Sequence, residues 1–312
     1  MDRLKEINEA IEAYLQNGEP RKLYQAMQHL PLAGGKRLRP ILAIISCEAV
    51  GGDGKKAIPF GVALELIHTF TLVHDDIMDR DEERRGIPSV HKKFGEATAI
   101  LAGDALFAKA FEVASEVKEN VSILVKNIAT MAREICEGQQ MDMSFEEMEE
   151  VSEESFLKMI EKKTAKMFEH AAYGGAIIGG GSDEETLALR SYGRNLGMAF
   201  QIWDDCLDVI GKKIGKPVGS DIREGKKTLM FIHAQKTPYK EKLAKLYGKK
   251  EATKEEINSV IEIFKEAGSL DYAKNKAFAF VNEAKKCLDK LKESNAKEEL
   301  MKLADFAVKR EK

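Results

Sequence analysis

Proline is scarce in this sequence, with 7 in 312 residues, and the four cysteines, Cys47, Cys136, Cys206 and Cys287, form neither a CxxC pair nor a metal-ligand spacing. Both absences argue against a loop-rich fold stapled by disulfides or zinc, and a chain this long buries enough apolar surface to fold without such clamps. A reducing cytoplasm is the expected setting. An excess of one charge is missing too: 49 Lys and Arg against 52 Asp and Glu leave a formal net charge of −3. No global field therefore draws nucleic acid or an anionic membrane, and any anion must meet a local cationic cluster. No cationic start followed by an apolar stretch marks a signal peptide, and no run approaches the roughly 18 apolar residues of a membrane span. No repeat of fixed period and no low-complexity tract is present, which excludes a solenoid.

What is present is helical patterning. Apolar residues make up 44% of the chain, and most recur at three- and four-residue spacing rather than in strict alternation, which predicts an all-α fold. Helices are expected over about residues 2–16, 20–29, 38–50, 55–80, 96–117, 120–140, 153–179, 183–211 and 226–236, with several more from 239 to 310. Most joints are short. Two are longer: Arg80 to Gly95, and Gly211 to Gly225 with its four glycines, one proline and three lysines. These read as lips over a site, and the whole of 1–312 as one helical domain.

The most informative segment is L-E-L-I-H-T-F-T-L-V-H-D-D-I-M-D, residues 64 to 79, which sets Asp75, Asp76 and Asp79 into an apolar helix. Aspartate is a poor helix former. Positions i and i+4 lie one above the other, so Asp75 and Asp79 project side by side with Asp76 about 100° around the axis. Such a pair repels itself unless a cation sits between, and hard oxygen ligands with positions left for water and phosphate suit Mg²⁺ bound with a phosphorylated substrate. A solvated acidic helix end is the plainer explanation of one such box. The second weakens it: F-Q-I-W-D-D-C-L-D, residues 200 to 208, repeats the i, i+1, i+4 pattern with Asp204, Asp205 and Asp208. Two carboxylate clusters on separate helices of a bundle are suited to share metal ions that hold a diphosphate.

Cationic groups fall near breaks in the helices. Gly34-Gly35-Lys36-Arg37-Leu38-Arg39-Pro40 opens a helix, where free N–H groups and the dipole favour an anion. Arg84 and Arg85 follow the first box, and the planar fork of arginine suits phosphate. Lys163-Thr164 lies in E-K-K-T-A-K-M-F, and Lys216, Lys226 and Lys227 flank the glycine-rich stretch. Each alone reads as a solvated side chain; their proximity to the two boxes gives them weight.

The ordered set GGKRLRP, HDDIMDRDEERRG, Lys-Thr, FQIWDDCLD and GKPVGSDIREGKK, residues 34 to about 228, resembles the trans-isoprenyl diphosphate synthases, the polyprenyl synthetase family. The resemblance implies a single-domain antiparallel helical bundle around a deep central cavity, commonly assembled as a homodimer. By resemblance, Asp75 and Asp79 hold two Mg²⁺ ions and Asp204 a third, with Asp76, Asp205 and Asp208 in support and Mn²⁺ as an alternative metal. Lys36, Arg39, His68 and Arg85 bind isopentenyl diphosphate. Arg84, Lys163, Lys216 and Lys226 hold the allylic diphosphate, with Thr164 and Gln201 against the developing cation.

The boxes offer no nucleophile and no tuned base of the Ser/His or Cys/His kind, and the chemistry implied by the resemblance requires none. Departing pyrophosphate is stabilised, the allylic carbon becomes cationic, and the double bond of isopentenyl diphosphate attacks it in a dry cavity. In this family the residues four and five places before the first box set the floor for the growing tail. Here they are Thr71 and Phe70, a small residue after a large one, which resembles archaeal-type geranylgeranyl diphosphate synthases; the first box also lacks a two-residue insertion seen in many bacterial farnesyl synthases. Geranylgeranyl diphosphate is the expected product and farnesyl diphosphate the alternative, while ordinary core packing is the plainer role for Phe70.

Other assignments compete. Glu65 and His68 form an E-x-x-H, half of a di-iron carboxylate site, but no second copy exists. A class I terpene cyclase pairs one Asp box with an Asn/Ser/Glu motif, and a non-catalytic partner subunit is expected to have lost a box or the arginine pair. This chain keeps both. Gln139 and Asp142 are read as a polar wall, a helix-end cap or a solvated face, and Trp203 as core.

Overall fold

The computed structural model describes residues 2–211 and 218–309. Helices dominate, as the spacing predicts. They are α1 (Arg3–Tyr14), α2 (Arg21–Leu32), α3 (Leu38–Ala49), α4 (Ile58–Met78), α5 (Val90–Phe94), α6 (Glu96–Ala114), α7 (Val121–Glu146) and α8 (Glu153–Ile160). They continue as α9 (Lys166–Ile178), α10 (Asp183–Val209), α11 (Ser220–Glu224), α12 (Leu229–Ala234), α13 (Lys240–Ala244), α14 (Lys254–Glu266), α15 (Ser269–Cys287) and α16 (Asn295–Lys309). Among the described residues the only strands are β1 (Glu83–Arg84) and β2 (Ile87–Pro88), an antiparallel pair.

The chain divides into two compact units. The first comprises Met1–Ala132, His170–Arg190 and Lys290–Leu300; the second comprises Arg133–Glu169, Ser191–Asp289 and Met301–Lys312. In the first unit α4 is apolar around most of its circumference, with Phe60, Val62, Ala63, Leu64, Leu66 and Ile67 fully buried. A helix of this kind is a core helix. By length and composition the stretch Gly54–Met78 would also suffice to cross a membrane, although no continuous apolar run announces it in the sequence; 61% of its most apolar window is buried inside the protein. Small residues let its neighbours approach. A side chain at Gly61 would sit 3.1 Å from Pro40 of α3, and one at Gly103 of α6 would collide with the His74 ring.

In the second unit the expected single helix over 153–179 is interrupted. Residues Glu161–Ala165 form a π turn between α8 and α9. A Cβ on Gly138 of α7 would collide with the backbone of Lys163, so the absence of a side chain there is what allows the wide turn to lie against α7. Caps fix the other starts: Ser152 accepts from the Ser155 N–H at α8, and Thr253 and Glu256 form a reciprocal capping box at α14. Trp203 is half-buried rather than core, its ring edge-on to that of the partly exposed Phe278 at 5.7 Å.

Candidate active site

The first box sits on the last turn of α4. Asp75 is half-buried and Asp79 exposed, one helical turn apart, and the Asp79 N–H closes on the Asp75 carbonyl at 2.8 Å. Asp76 differs: it is fully buried, and its Oδ1 accepts from Arg84 Nε at 2.8 Å and Nη2 at 2.5 Å. Arg84 also reaches Asp81 at 3.1 Å. Burial pushes the Asp76 carboxyl up against the pull of Arg84; burial likewise opposes the Arg84 charge, but Asp76 and Asp81 outweigh it and raise its pKa. Asp76 is thus the anchor of Arg84, with its Oδ2 buried and unpartnered among the described residues.

The joint after this box is a built structure. Arg85 and Gly86, both at positive φ (57° and 75°), form the two-residue turn between β1 and β2, the backbone that a tight hairpin requires. The hairpin holds Arg84 on the box, while Arg85 donates to the carbonyls of Leu30 at 2.9 Å and of Gly34. Arg37 takes the left-handed conformation just before α3, with φ 50°. It is 3% exposed and donates to Glu65 Oε1 at 2.6 Å, to Asn8 Oδ1 at 3.0 Å and to the Pro31 carbonyl at 2.5 Å. Enclosure, with Arg85 close by, pushes the Arg39 guanidinium down to about 10, although Glu65 supports its charge. His68 is held well below its ordinary value by burial and then by Arg39, Arg85, Arg84 and Arg37, so it stands neutral in a cationic surround. Lys36 is exposed on the turn before α3. The first unit therefore brings Arg39, His68, Arg84 and Arg85 into one cluster, together with Arg37 and Glu65, which sequence reasoning assigned no such part.

Phe70 and Thr71 lie one turn before the box. Both are half-buried; the Thr71 hydroxyl donates to the His68 carbonyl at 2.8 Å. Phe70 meets His74 edge-on at 4.9 Å and Phe107 of α6 at 5.2 Å, and Phe107 meets Phe111 at 5.1 Å. Phe70 is the first of three contiguous phenylalanine rings.

In the second unit the other box occupies the end of α10. Asp204 is half-buried, Asp205 is 8% exposed and Asp208 is fully buried. Thr164 on the π turn donates to Gln201 Oε1 at 2.8 Å, and Gln201 Nε2 donates to Asp205 Oδ1 at 2.8 Å, so these three residues form one hydrogen-bonded line. Asp208 accepts from the Ser220 hydroxyl at 2.6 Å and from the Asp221 N–H at 3.2 Å, which ties the start of α11 to the box.

Lys163 donates to Asp142 Oδ2 at 2.6 Å; Lys226 lies 3.5 Å from the same oxygen and 2.6 Å from Glu146. Because α7 runs on to Glu146, Asp142 and Gln139 are buried inside that helix rather than capping its end. Burial pushes the Asp142 carboxyl up, yet the two lysines outweigh it and leave it below its ordinary value. Lys227 points elsewhere, its ammonium 5.0 Å over the Phe231 ring and its pKa lowered by burial. Lys216 lies outside the described residues.

Among the described residues no three His, Cys, Asp or Glu groups converge as a preformed metal cage. The donor set still suits a hard divalent cation. Asp75 and Asp79 supply carboxylates one turn apart on a rigid helix, and a Mg²⁺ ion held this way keeps most of its shell for water and phosphate oxygens.

Comparison with known proteins agrees with this geometry. The family model described as polyprenyl synthetase matches residues 20–264. A geranylgeranyl diphosphate synthase of Methanosarcina mazei is 45% identical over 99% of this chain and 96% of its own length. A short chain isoprenyl diphosphate synthase of Methanothermobacter thermautotrophicus is 47% identical, covering 97% of this chain and 95% of its own. The crystal structure of a geranylgeranyl pyrophosphate synthetase from Pyrococcus horikoshii superposes with a TM-score of 0.93 at 46% identity, over 98% of this chain and 95% of that one.

Proposed function

We propose that this chain, which belongs to the polyprenyl synthetase family, joins isopentenyl diphosphate head to tail to an allylic diphosphate with release of pyrophosphate, and that its main product is geranylgeranyl diphosphate. The observation that carries this reading is the first box with its attached hairpin: paired carboxylates at Asp75 and Asp79, with the hairpin closed by the Arg85-Gly86 turn fixing Arg84 on Asp76 and Arg85 on the carbonyls of Leu30 and Gly34.

The chain's own residues bind, orient and exclude water. Lys36, Arg39 and Arg85 receive the diphosphate of isopentenyl diphosphate; neutral His68 offers a hydrogen bond there without adding charge. Arg84, Lys163, Lys216 and Lys226 are assigned to the allylic diphosphate. Mg²⁺, or Mn²⁺ in its place, supplies further positive charge against the diphosphates, and Asp75, Asp79 and Asp204 are the carboxylates assigned to about three ions, with Asp76, Asp205 and Asp208 in support. The allylic C–O bond breaks with its electron pair leaving on pyrophosphate. The double bond of isopentenyl diphosphate then forms the new C–C bond, and a proton lost to pyrophosphate restores an alkene. Thr164 and Gln201, joined by a hydrogen bond, are assigned to lie against the transient cation, and catalysis is positioning and electrostatic stabilisation. We assign the working form as a homodimer of single-domain 1–312 subunits in the cytoplasm.

Incubation of the purified chain with isopentenyl diphosphate, Mg²⁺ and, separately, dimethylallyl, geranyl or farnesyl diphosphate tests the reading, with products sized by mass spectrometry and Asp75→Ala as control. Geranylgeranyl diphosphate that disappears in the control is the expected result. Farnesyl or much longer products would keep the reaction and reject the Phe70 floor. No condensation with any starter would leave a non-catalytic partner subunit as the better reading.

A further inference from the structure

Glu65 has no part in the reaction just described, yet its carboxylate meets two arginines, Arg37 of the turn before α3 and Arg85 of the hairpin. It is 2% exposed on α4. Its Oε1 accepts from Arg37 Nη1 at 2.6 Å and lies 3.6 Å from Arg85 Nη2. Both arginines continue past it to the end of α2, Arg37 to the Pro31 carbonyl and Arg85 to that of Leu30. A Cβ on Gly35 would stand 3.2 Å from both Arg37 Nη1 and Arg85 Cζ, so the two guanidiniums flank the glycine turn that presents Lys36. Arg37 and Arg85 both hold positive φ, a backbone state that a non-glycine residue keeps only when its surroundings impose it.

The charges decide between two roles for this carboxylate. Arg37 and Arg85 bring two positive charges and Glu65 one negative, so the carboxylate cannot cancel them both. A residue present only to neutralise charge would weaken the attraction for an anion. A residue present to aim guanidiniums would strengthen binding despite its sign, because a fork held in place forfeits less freedom on receiving a phosphate.

We infer that Glu65 is a positioning residue for isopentenyl diphosphate, acting through Arg37 and Arg85 to fix the Gly34–Arg37 turn and the Arg85 guanidinium in the attitude that receives its diphosphate. This rests on the assignment of the first unit's arginines to that substrate. Arg37, which the family-like assignment passes over, is the other half of the device.

The two roles predict opposite signs for Glu65→Gln. Loss of positioning raises KM for isopentenyl diphosphate by about tenfold and moves KM for the allylic diphosphate by less than about twofold. Loss of a mere counter-charge lowers KM for isopentenyl diphosphate, because the cluster gains positive charge. Arg37→Met reproduces the positioning effect, and the double variant is no worse than the worse single one, since both break the same link. Circular dichroism and thermal unfolding confirm that the variants are folded; if Glu65→Gln is not, Glu65→Asp and Arg37→Lys, which keep every charge, carry the same comparison. A folded variant whose KM for isopentenyl diphosphate is unchanged or lower overturns the inference. Calorimetric titration with inorganic pyrophosphate separates this from failure of the reaction itself. If the unmodified chain condenses nothing, weaker pyrophosphate binding by Glu65→Gln still supports Glu65 as the positioner of an anion site, and unchanged binding refutes it.

Discussion

Replacing Phe70 by alanine is the sharpest test of the product-length argument. Phe70 lies five residues before Asp75, about 7.5 Å along the helix axis, and its ring meets His74 at 4.9 Å and Phe107 at 5.2 Å. Truncation takes the obstacle back to the Phe107 ring of α6, 5.2 Å from that of Phe70, which is room for one further five-carbon unit. The main product should therefore lengthen by one unit, to geranylfarnesyl diphosphate. Phe70→Ala with Phe107→Ala should lengthen it again, because Phe111 stands a further 5.1 Å on. Since Phe70 is half-buried, truncation should cost about 2 kcal/mol, less than a fully enclosed ring, and lower Tm by about 3 °C. The assay is mass spectrometry of products from farnesyl and isopentenyl diphosphates, beside initial rates with a short starter. A folded variant with unaltered rate and unaltered product lengths would refute the floor and leave Phe70 as packing between α4 and α6.

Three other outcomes follow from the geometry. Chelation by EDTA should abolish condensation and added Mg²⁺ restore it, and Asp75→Ala should cost several decades in rate with the helical circular dichroism intact. Gly138→Ala puts a methyl group into the Lys163 backbone; the π turn must move, so KM for the allylic diphosphate should rise more than that for isopentenyl diphosphate, which paired initial-rate measurements would read. Asp142 has its folded pKa held below the ordinary value, where Lys163 and Lys226 outweigh its burial. Its stabilising contribution is complete above the unfolded value near about 4 and is lost as pH falls through the lower folded value. Urea unfolding of Asp142→Asn should show a deficit at pH 7 that shrinks on acidification below pH 4, and a deficit independent of pH would refute the linkage.

The sequence showed most of the fold and the two boxes because both are local signals. The three- and four-residue spacing that predicts α4 also puts Asp75 and Asp79 on one side of it, and the first unit confirms their place at the helix end. Less local features were invisible. The break in the 153–179 helix has no proline to announce it; its cause is the bare backbone of Gly138, more than twenty residues away. Asp76 reads from the sequence only as a support of the metal carboxylates, and nothing local shows that its neighbour in space is the Arg84 fork brought back by a two-residue turn. Glu65 was noticed only through its spacing to His68, which points to iron. Its actual partners come from residues 37 and 85, a pairing that no local spacing reveals.

A site for diphosphates must concentrate positive charge within a chain whose total is slightly negative, and the same solution recurs. Glu65 serves Arg37 and Arg85; Asp142 serves Lys163 and Lys226; Asp76 and Asp81 together serve Arg84. At Glu65 one carboxylate meets two guanidiniums, so it fixes donors without cancelling both; at Asp142 the two lysines converge on one carboxylate oxygen, with Glu146 as a second partner of Lys226. A fully paired cluster would offer an incoming phosphate nothing but exchange, and an unpaired one would splay and pay the ordering entropy on binding. The sparing use of buried carboxylates lets the donors stand in place beforehand, which is the condition for electrostatic stabilisation of departing pyrophosphate. Glu65 and Asp142 therefore share a role that neither box contains. Neutralising either should disturb the substrate served by its own pair of cations and spare the other, a split that KM values for the two diphosphates, measured side by side, would resolve.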